Sequence, residues 1–314
     1  MNSSASRSWV KPPRLQPGDR IALVAPASAF KRDEFDAGVA ELGRLGFEAV
    51  YDERVFDRDR FVAGDPVTRV AALHDAWNDA TIAAIVAVRG GYGSAQLLPL
   101  INVDRMRAAQ KIFVGYSDVT ALLWLHARHG LVAFHGPMIE HRLSAGARGY
   151  DQTSFLGALT RAEPLGALRP VGLQTLHAGE ASGVLFGGTL TQLTASLGTP
   201  WAFDPPDGCI LFIEEVRERP YRIDRMLTQL AQADILNRAR ALVFGEMPSC
   251  DEPGGEHPIR DVLFDYFRKF SGPVVFGFPS GHTTGPTWTL PFGVRARVVT
   301  SPSPAVVIEE AAVR

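Results

Sequence analysis

Lys111-Ile-Phe-Val-Gly-Tyr-Ser-Asp-Val-Thr-Ala-Leu-Leu-Trp-Leu-His-Ala-Arg-His129 is the stretch whose reading decides the fold. The apolar run Ile112 to Val114 has the length and character of a buried strand. Gly115-Tyr116 breaks it, and from Asp118 onward Ala121, Leu122 and Leu125 recur at helical spacing. Ser117 therefore falls in a sharp strand-to-helix turn, beside backbone N–H groups that a helix start leaves without intrahelical partners. Two readings fit. Serine ahead of a helix is a common N-cap. A serine lifted out of the fold on such a turn is also the geometry of a nucleophile elbow. The stretch alone leaves both open.

Outward from this turn the same alternation repeats. Arg20 to Pro26, Phe47 to Tyr51, Ile82 to Val88 and Leu131 to Phe134 read as strands, and 32–45 and 66–78 as helices, the second opening on Pro66 in a favourable first-turn position. Strands and helices in alternation predict an α/β fold with a mostly parallel sheet flanked by helices, whose ligand sites gather at the carboxyl ends of the strands. Residues 141–180 carry scattered Gly, Ala and Pro with one helix near 154–160, and are read as a linker. Beyond it, strands are expected at 182–186, 209–213, 241–244 and 274–276. Helices are expected at 189–197, 220–233 and 258–269, and β structure from Trp288 to Ile308. The expected organisation is a disordered lead-in over 1–13, an N-terminal α/β domain over 14–140, the linker, and a C-terminal domain over 181–314.

The 314 residues are 46% hydrophobic and 21% charged, ordinary values for a soluble protein of about two domains. A formal net charge of −2 gives no reason to expect nucleic acid or an anionic membrane surface as partner. No stretch approaches the ~18 consecutive apolar residues of a membrane span. Met1 to Pro13 is polar, without the apolar centre of a signal peptide. Cys209 and Cys250 form neither a disulfide framework nor a metal spacing, so a cytoplasmic, disulfide-free protein is expected. No His-Glu-x-x-His or related ligand motif occurs, and neither a metal nor another cofactor is expected.

Three further features carry chemistry. Arg89-Gly-Gly-Tyr-Gly93 closes a strand with little side-chain bulk, so its N–H groups can approach a ligand, although its glycine spacing matches no phosphate-binding fingerprint and a plain tight turn fits as well. Glu214-Glu215 follows four apolar residues. Strand alternation sends the two carboxylates to opposite sides, and each needs a partner, for which Arg217, Arg219 and Arg222 are the nearby candidates, or a function. His282, in Pro279-Ser-Gly-His-Thr-Thr-Gly285, stands in a glycine-flanked loop, with His135 as its best rival. Together they fit one scheme. Ser117 attacks, His282 removes its proton, and a glutamate orients the imidazole. The N–H of Asp118 and a glycine N–H of the 90–93 turn hold the oxyanion.

Val88-Arg-Gly-Gly-Tyr-Gly93, Gly115-Tyr-Ser-Asp118, Phe134-His-Gly-Pro-Met138, Phe186-Gly-Gly-Thr-Leu190, Leu211-Phe-Ile-Glu-Glu215, Arg219-Pro-Tyr-Arg-Ile-Asp224 and Gly281-His282 resemble, in order, the motifs of the LD-carboxypeptidase family of serine peptidases, over about residues 14–308. The resemblance implies an α/β N-terminal domain joined to a β-rich C-terminal α/β domain, with the site between them, and a homodimer. It places the nucleophile at Ser117, the base at His282, the acid at Glu214, and the oxyanion donors at the N–H groups of Gly91 and Asp118. Where family members usually have Glu-Asp, this chain has Glu214-Glu215. The implied reaction is hydrolysis of an L,D peptide bond, releasing D-alanine from cytoplasmic murein tetrapeptide during peptidoglycan recycling. The alternatives are an immunity peptidase that cleaves an amide of microcin C, and a catalytically silent peptide-binding protein.

Overall fold

The computed structural model describes residues 9–314. In chain order its strands are β1 (Arg20–Val24), β2 (Glu48–Val50), β3 (Ile82–Ala87), β4 (Ile112–Gly115), β5 (Ala133–His135), β6 (Gly166–Leu168) and β7 (Gln174–His177). They continue as β8 (Glu180–Thr189), β9 (Cys209–Glu214), β10 (Ala239–Gly245), β11 (Val274–Phe278), β12 (Leu290–Phe292), β13 (Arg295–Val299) and β14 (Ala305–Ile308). The α-helices are α1 (Arg32–Arg44), α2 (Pro66–Asn78), α3 (Val103–Ala109), α4 (Thr120–Arg128), α5 (Gln152–Thr160), α6 (Leu190–Ala195), α7 (Pro220–Gln232) and α8 (Ile259–Phe267). The fold is α/β, with a parallel centre in each of its two sheets.

The first sheet has the order β12-β5-β4-β3-β1-β2, parallel throughout except for β12, which is antiparallel to β5. Strands β3 and β4 are almost wholly buried, which is why they read as unbroken apolar runs. The order reverses between β1 and β3, and such a switch opens a crevice at the carboxyl ends. The second sheet has the order β6-β14-β13-β8-β9-β10-β11-β7. Its centre, β8 to β11, is parallel and its flanks are antiparallel. The carboxyl ends of β8 and β9 carry Thr189 and Glu214, and the loop with His282 follows β11.

A continuous apolar core joins the two sheets, with Phe113 and Val114 of β4 in the same cluster as Phe212 of β9 and Leu290 and Phe292 of β12. A second core lies under α7 and α8, around Ile223, Leu227, Leu230 and Leu263. The first turn of α2 is fixed as its sequence predicts: the Asp65 side chain accepts the N–H groups of Val67 (2.8 Å) and Thr68 (3.0 Å), and Pro66 opens the helix.

Three segments differ from the sequence reading. Of the lead-in expected to be disordered, residues 1–8 lie outside the described residues, while 9–13 are ordered: Val10 bridges to Leu131 and the Trp9 ring lies 5.1 Å from Phe186. The 141–180 stretch holds more than its one expected helix. Helix α5 packs Phe155, Ala158 and Leu159 into the first core, and β6 and β7 are edge strands of the second sheet. Pairs of three and four residues are too short to show a period, so composition read this segment as linker. Helix α3, which shows no apolar stripe in sequence, forms behind an Asn102 cap that accepts the Arg105 N–H at 3.0 Å.

Candidate active site

Strand β4 ends at Gly115, and the chain turns through Tyr116 (φ −156°) into Ser117 at φ +62°. A serine in the left-handed region is uncommon, and a backbone forced there aims its side chain away from the ordinary helical path. Residues 117–119 make one 3-10 turn before α4 begins at Thr120. Val119 occupies the cap position of α4 and no side chain caps it, nor does any side chain cap the 3-10 turn. Ser117 is therefore not an N-cap. Gly90 lies directly against it: a Cβ there would stand 2.9 Å from the Ser117 Cβ, 3.1 Å from its Oγ and 3.2 Å from the Asp118 nitrogen. Only glycine lets the end of β3 approach so closely.

Gly91, at φ +91°, faces Ser28 of the loop after β1, whose N–H donates to the Gly90 carbonyl (3.0 Å). The two expected oxyanion donors thus lie on adjoining turns, and among the described residues no protein acceptor takes the N–H of Gly91 or of Asp118. The Asp118 carboxylate has a separate task that the sequence did not show. It is buried, accepts the Ser94 N–H (2.7 Å) and the Gln192 amide (3.2 Å), and so ties the elbow to the end of the glycine turn.

At the end of β9 Glu214 is completely buried. One of its oxygens accepts both the His282 N–H (3.0 Å) and the ring Nδ1 (2.7 Å), and the other accepts the Thr189 hydroxyl from the end of β8. Burial alone would raise its pKa, but the imidazole and these donors hold it down at about 2. Burial works against charge on His282 too, and the Glu214 carboxylate outweighs it, so the ring is more basic than an ordinary histidine. A carboxylate only accepts, so Nδ1 carries the proton and the neutral ring keeps its lone pair on Nε2. The ring packs against Tyr116, the residue before Ser117, at 5.2 Å. Among the described residues no hydrogen bond joins Ser117 to His282.

Glu215 points the other way, as alternation requires. It accepts the N–H (2.9 Å) and hydroxyl (2.7 Å) of Thr191 at the start of α6, and the Val216 N–H (2.9 Å). Burial and the neighbouring Glu214 raise its pKa. Neither glutamate pairs with the arginines suggested by sequence: Arg219 pairs with Glu252, and Arg222 with Glu218 at 3.4 Å.

His135, the rival histidine, is buried beneath the loop. The Ser280 hydroxyl donates to the Trp288 carbonyl (2.8 Å), so it accepts from His135 Nδ1 (2.8 Å), and burial depresses the His135 pKa to about 4. It supports the loop as a neutral ring. Glu34, Glu140 and His141 are the one group among the described residues whose ligand atoms could surround a metal. Two cations already occupy it, with Lys31 Nζ 3.1 Å from Glu34 and Arg89 Nε 3.0 Å from Glu140.

Residues 21–136 match the family model of the LD-carboxypeptidase N-terminal domain, and residues 182–298 that of the LD-carboxypeptidase C-terminal domain. The chain is similar to a putative carboxypeptidase of Streptomyces coelicolor, at 38% identity over 93% of this chain and 94% of that one. It is 33% identical to the murein tetrapeptide carboxypeptidase of Pseudomonas aeruginosa, over 89% of this chain and 91% of that one. The microcin C7 self-immunity protein MccF, solved in complex with aspartyl sulfamoyl adenosine, superposes with a TM-score of 0.87 at 26% identity, covering 97% of this chain and 99% of that one.

Proposed function

The chain belongs to the LD-carboxypeptidase family, and from that premise we propose a serine carboxypeptidase that hydrolyses the L,D bond before the terminal D-alanine of murein tetrapeptide, in the cytoplasm, through an acyl-enzyme on Ser117. We assign Ser117 as nucleophile, His282 as general base and acid, Glu214 as the carboxylate that orients the ring, and the N–H groups of Gly91 and Asp118 as oxyanion donors. The observation that carries this reading is the His282 ring, held by Nδ1 on a buried carboxylate and packed on the residue that precedes an uncapped serine at φ +62°.

In the proposed cycle the Ser117 oxygen bonds the carbonyl carbon while its proton passes to His282 Nε2. The carbonyl oxygen becomes an oxyanion held by the two N–H groups, one such donor being worth ~3 kcal/mol in the transition state. The C–N bond then breaks, and His282 returns the proton to the amine of the departing D-alanine. Water gives a proton to His282 as it attacks the ester carbonyl, and His282 passes that proton to the Ser117 oxygen as the acyl C–O bond breaks and the tripeptide leaves. Catalytic hydrogen bonds often close only around bound substrate, which accounts for a resting enzyme in which Ser117 and His282 are not yet bonded. In this reading 14–140 supplies the nucleophile, 181–314 the glutamate and histidine, and the working unit is a homodimer.

The close superposition on the immunity protein supports a second substrate, an aminoacyl nucleotide. Backbone likeness reports fold more than substrate, whereas the greater sequence identity is to the murein enzyme. The two separate in one assay. Wild-type protein is given murein tetrapeptide and, in parallel, an aminoacyl sulfamoyl adenosine. Release of D-alanine as the faster reaction is expected. Cleavage of the nucleotide with no D-alanine released would overturn the murein assignment.

A further inference from the structure

The loop bearing His282 has no strand or helix from Pro279 to Thr289, yet three of its carbonyls converge on one side chain. Half-buried Arg142 sends Nη2 to the carbonyls of Gly281 (2.9 Å) and Thr283 (3.2 Å), and Nη1 to those of Gly285 (3.1 Å) and Gly149 (3.4 Å). Its Nε donates to the Tyr116 hydroxyl at 3.3 Å, and the guanidinium lies 5.9 Å from that ring. One side chain thus joins the residue before Ser117 to the residues on either side of His282.

An arginine beside a carboxypeptidase site invites the role of substrate-carboxylate receptor. Its inventory argues otherwise. A guanidinium has five N–H donors in a fixed fork. The five acceptors just named account for all of them, and among the described residues no carboxylate lies within ion-pair distance. Arg142 is spent on the protein, and a lysine could supply the charge but not the fork.

Resting on the function proposed above, we infer that Arg142 is a positioning residue which fixes the His282 loop against the serine elbow and sets where the imidazole stands. The groups that face His282 from the surrounding elements are Glu214 of β9, Arg142, His135 of β5 and Tyr116, and Glu215, turned away toward Thr191, acts on the ring through its charge alone. Arg142 is the cation among them that opposes protonation of the ring.

The test compares Arg142→Met and Arg142→Lys with wild type in D-alanine release, and follows the His282 ring signal by NMR titration of the resting proteins. The Met variant is expected to lose about 100-fold in kcat, the typical cost of a reactive group displaced by an ångström, with little change in KM. Its His282 midpoint moves up in pH. The Lys variant, which keeps the charge, recovers the midpoint but not the full kcat. A wild-type His282 midpoint in the Met variant, or kcat lost only in step with thermal stability in both variants, would overturn the inference. Should wild type release no D-alanine, the substrate reading fails, while the NMR midpoints still decide the role of Arg142.

Discussion

The serine elbow and the histidine loop each hold one of the side chains proposed to react, and they do it by opposite means. The elbow is local. A strand end, a left-handed residue and a 3-10 turn within 112–119 aim Ser117, and Gly90 needs only to be small. The loop has no regular structure of its own and is held from far along the chain. Glu214 takes two donors of His282, His135 supports Ser280, Arg142 gathers three carbonyls, and Glu246 accepts the Thr284 N–H and hydroxyl at 2.8 Å each. The difference shows which parts of a site a linear sequence can announce: a turn written in consecutive residues is visible there, and a clamp assembled from four elements is not.

The adjacent glutamates break this comparison most sharply. Glu214→Gln should lower kcat about 10⁴-fold, the scale seen when a carboxylate that fixes a catalytic tautomer becomes an amide. Glu215→Gln, whose bonds go to Thr191 and Val216 rather than to the imidazole, should leave kcat within about threefold and change stability by about 1 kcal/mol. Steady-state release of D-alanine by the two variants measures this, and equal losses would mean that the histidine is oriented otherwise. On the elbow side, Gly90→Ala should cost about 100-fold in kcat, because the new methyl displaces Ser117 rather than any charged group. Its His282 pH midpoint should stay that of wild type.

The smallest effect concerns stability. His126, stacked on Phe113 behind the elbow, and His135, beneath the loop, are both buried, and both have pKa values depressed to about 4 by that burial. Each is neutral in the fold yet takes a proton near pH 6.5 when unfolded, so their stabilising share is complete above pH 6.5. It falls between pH 6.5 and 4, by up to about 1.4 kcal/mol per pH unit for each ring. Urea unfolding across this window should show the slope, and His126→Asn should remove one share of it without altering the pH dependence of kcat.

Much of the fold was legible because the central strands are continuous apolar runs and the longer helices carry clear stripes or caps, as Pro66–Asn78 shows. The short edge strands at 166–168 and 174–177 were not, since their identity comes from the partners they meet. At the site, Ser117 and His282 stood out through their glycine-flanked turns. Orientation was half legible: alternation puts Glu214 and Glu215 on opposite sides and the family resemblance points to Glu214, while the contact of Glu214 with the imidazole and of Glu215 with the Thr191 N–H comes from the packed structure. Arg142 carried no signal, lying in a stretch read as linker, and the structural task of the Asp118 carboxylate was hidden behind its backbone.

The central claim is that Ser117 carries the acyl group. Wild-type protein mixed with murein tetrapeptide and quenched in acid within the first turnover should gain, by intact-mass and peptide mass spectrometry, the tripeptide acyl group on Ser117 as D-alanine appears, and Ser117→Ala should fold normally and show neither. Undiminished release of D-alanine by Ser117→Ala, or an adduct on any other residue, would contradict the account.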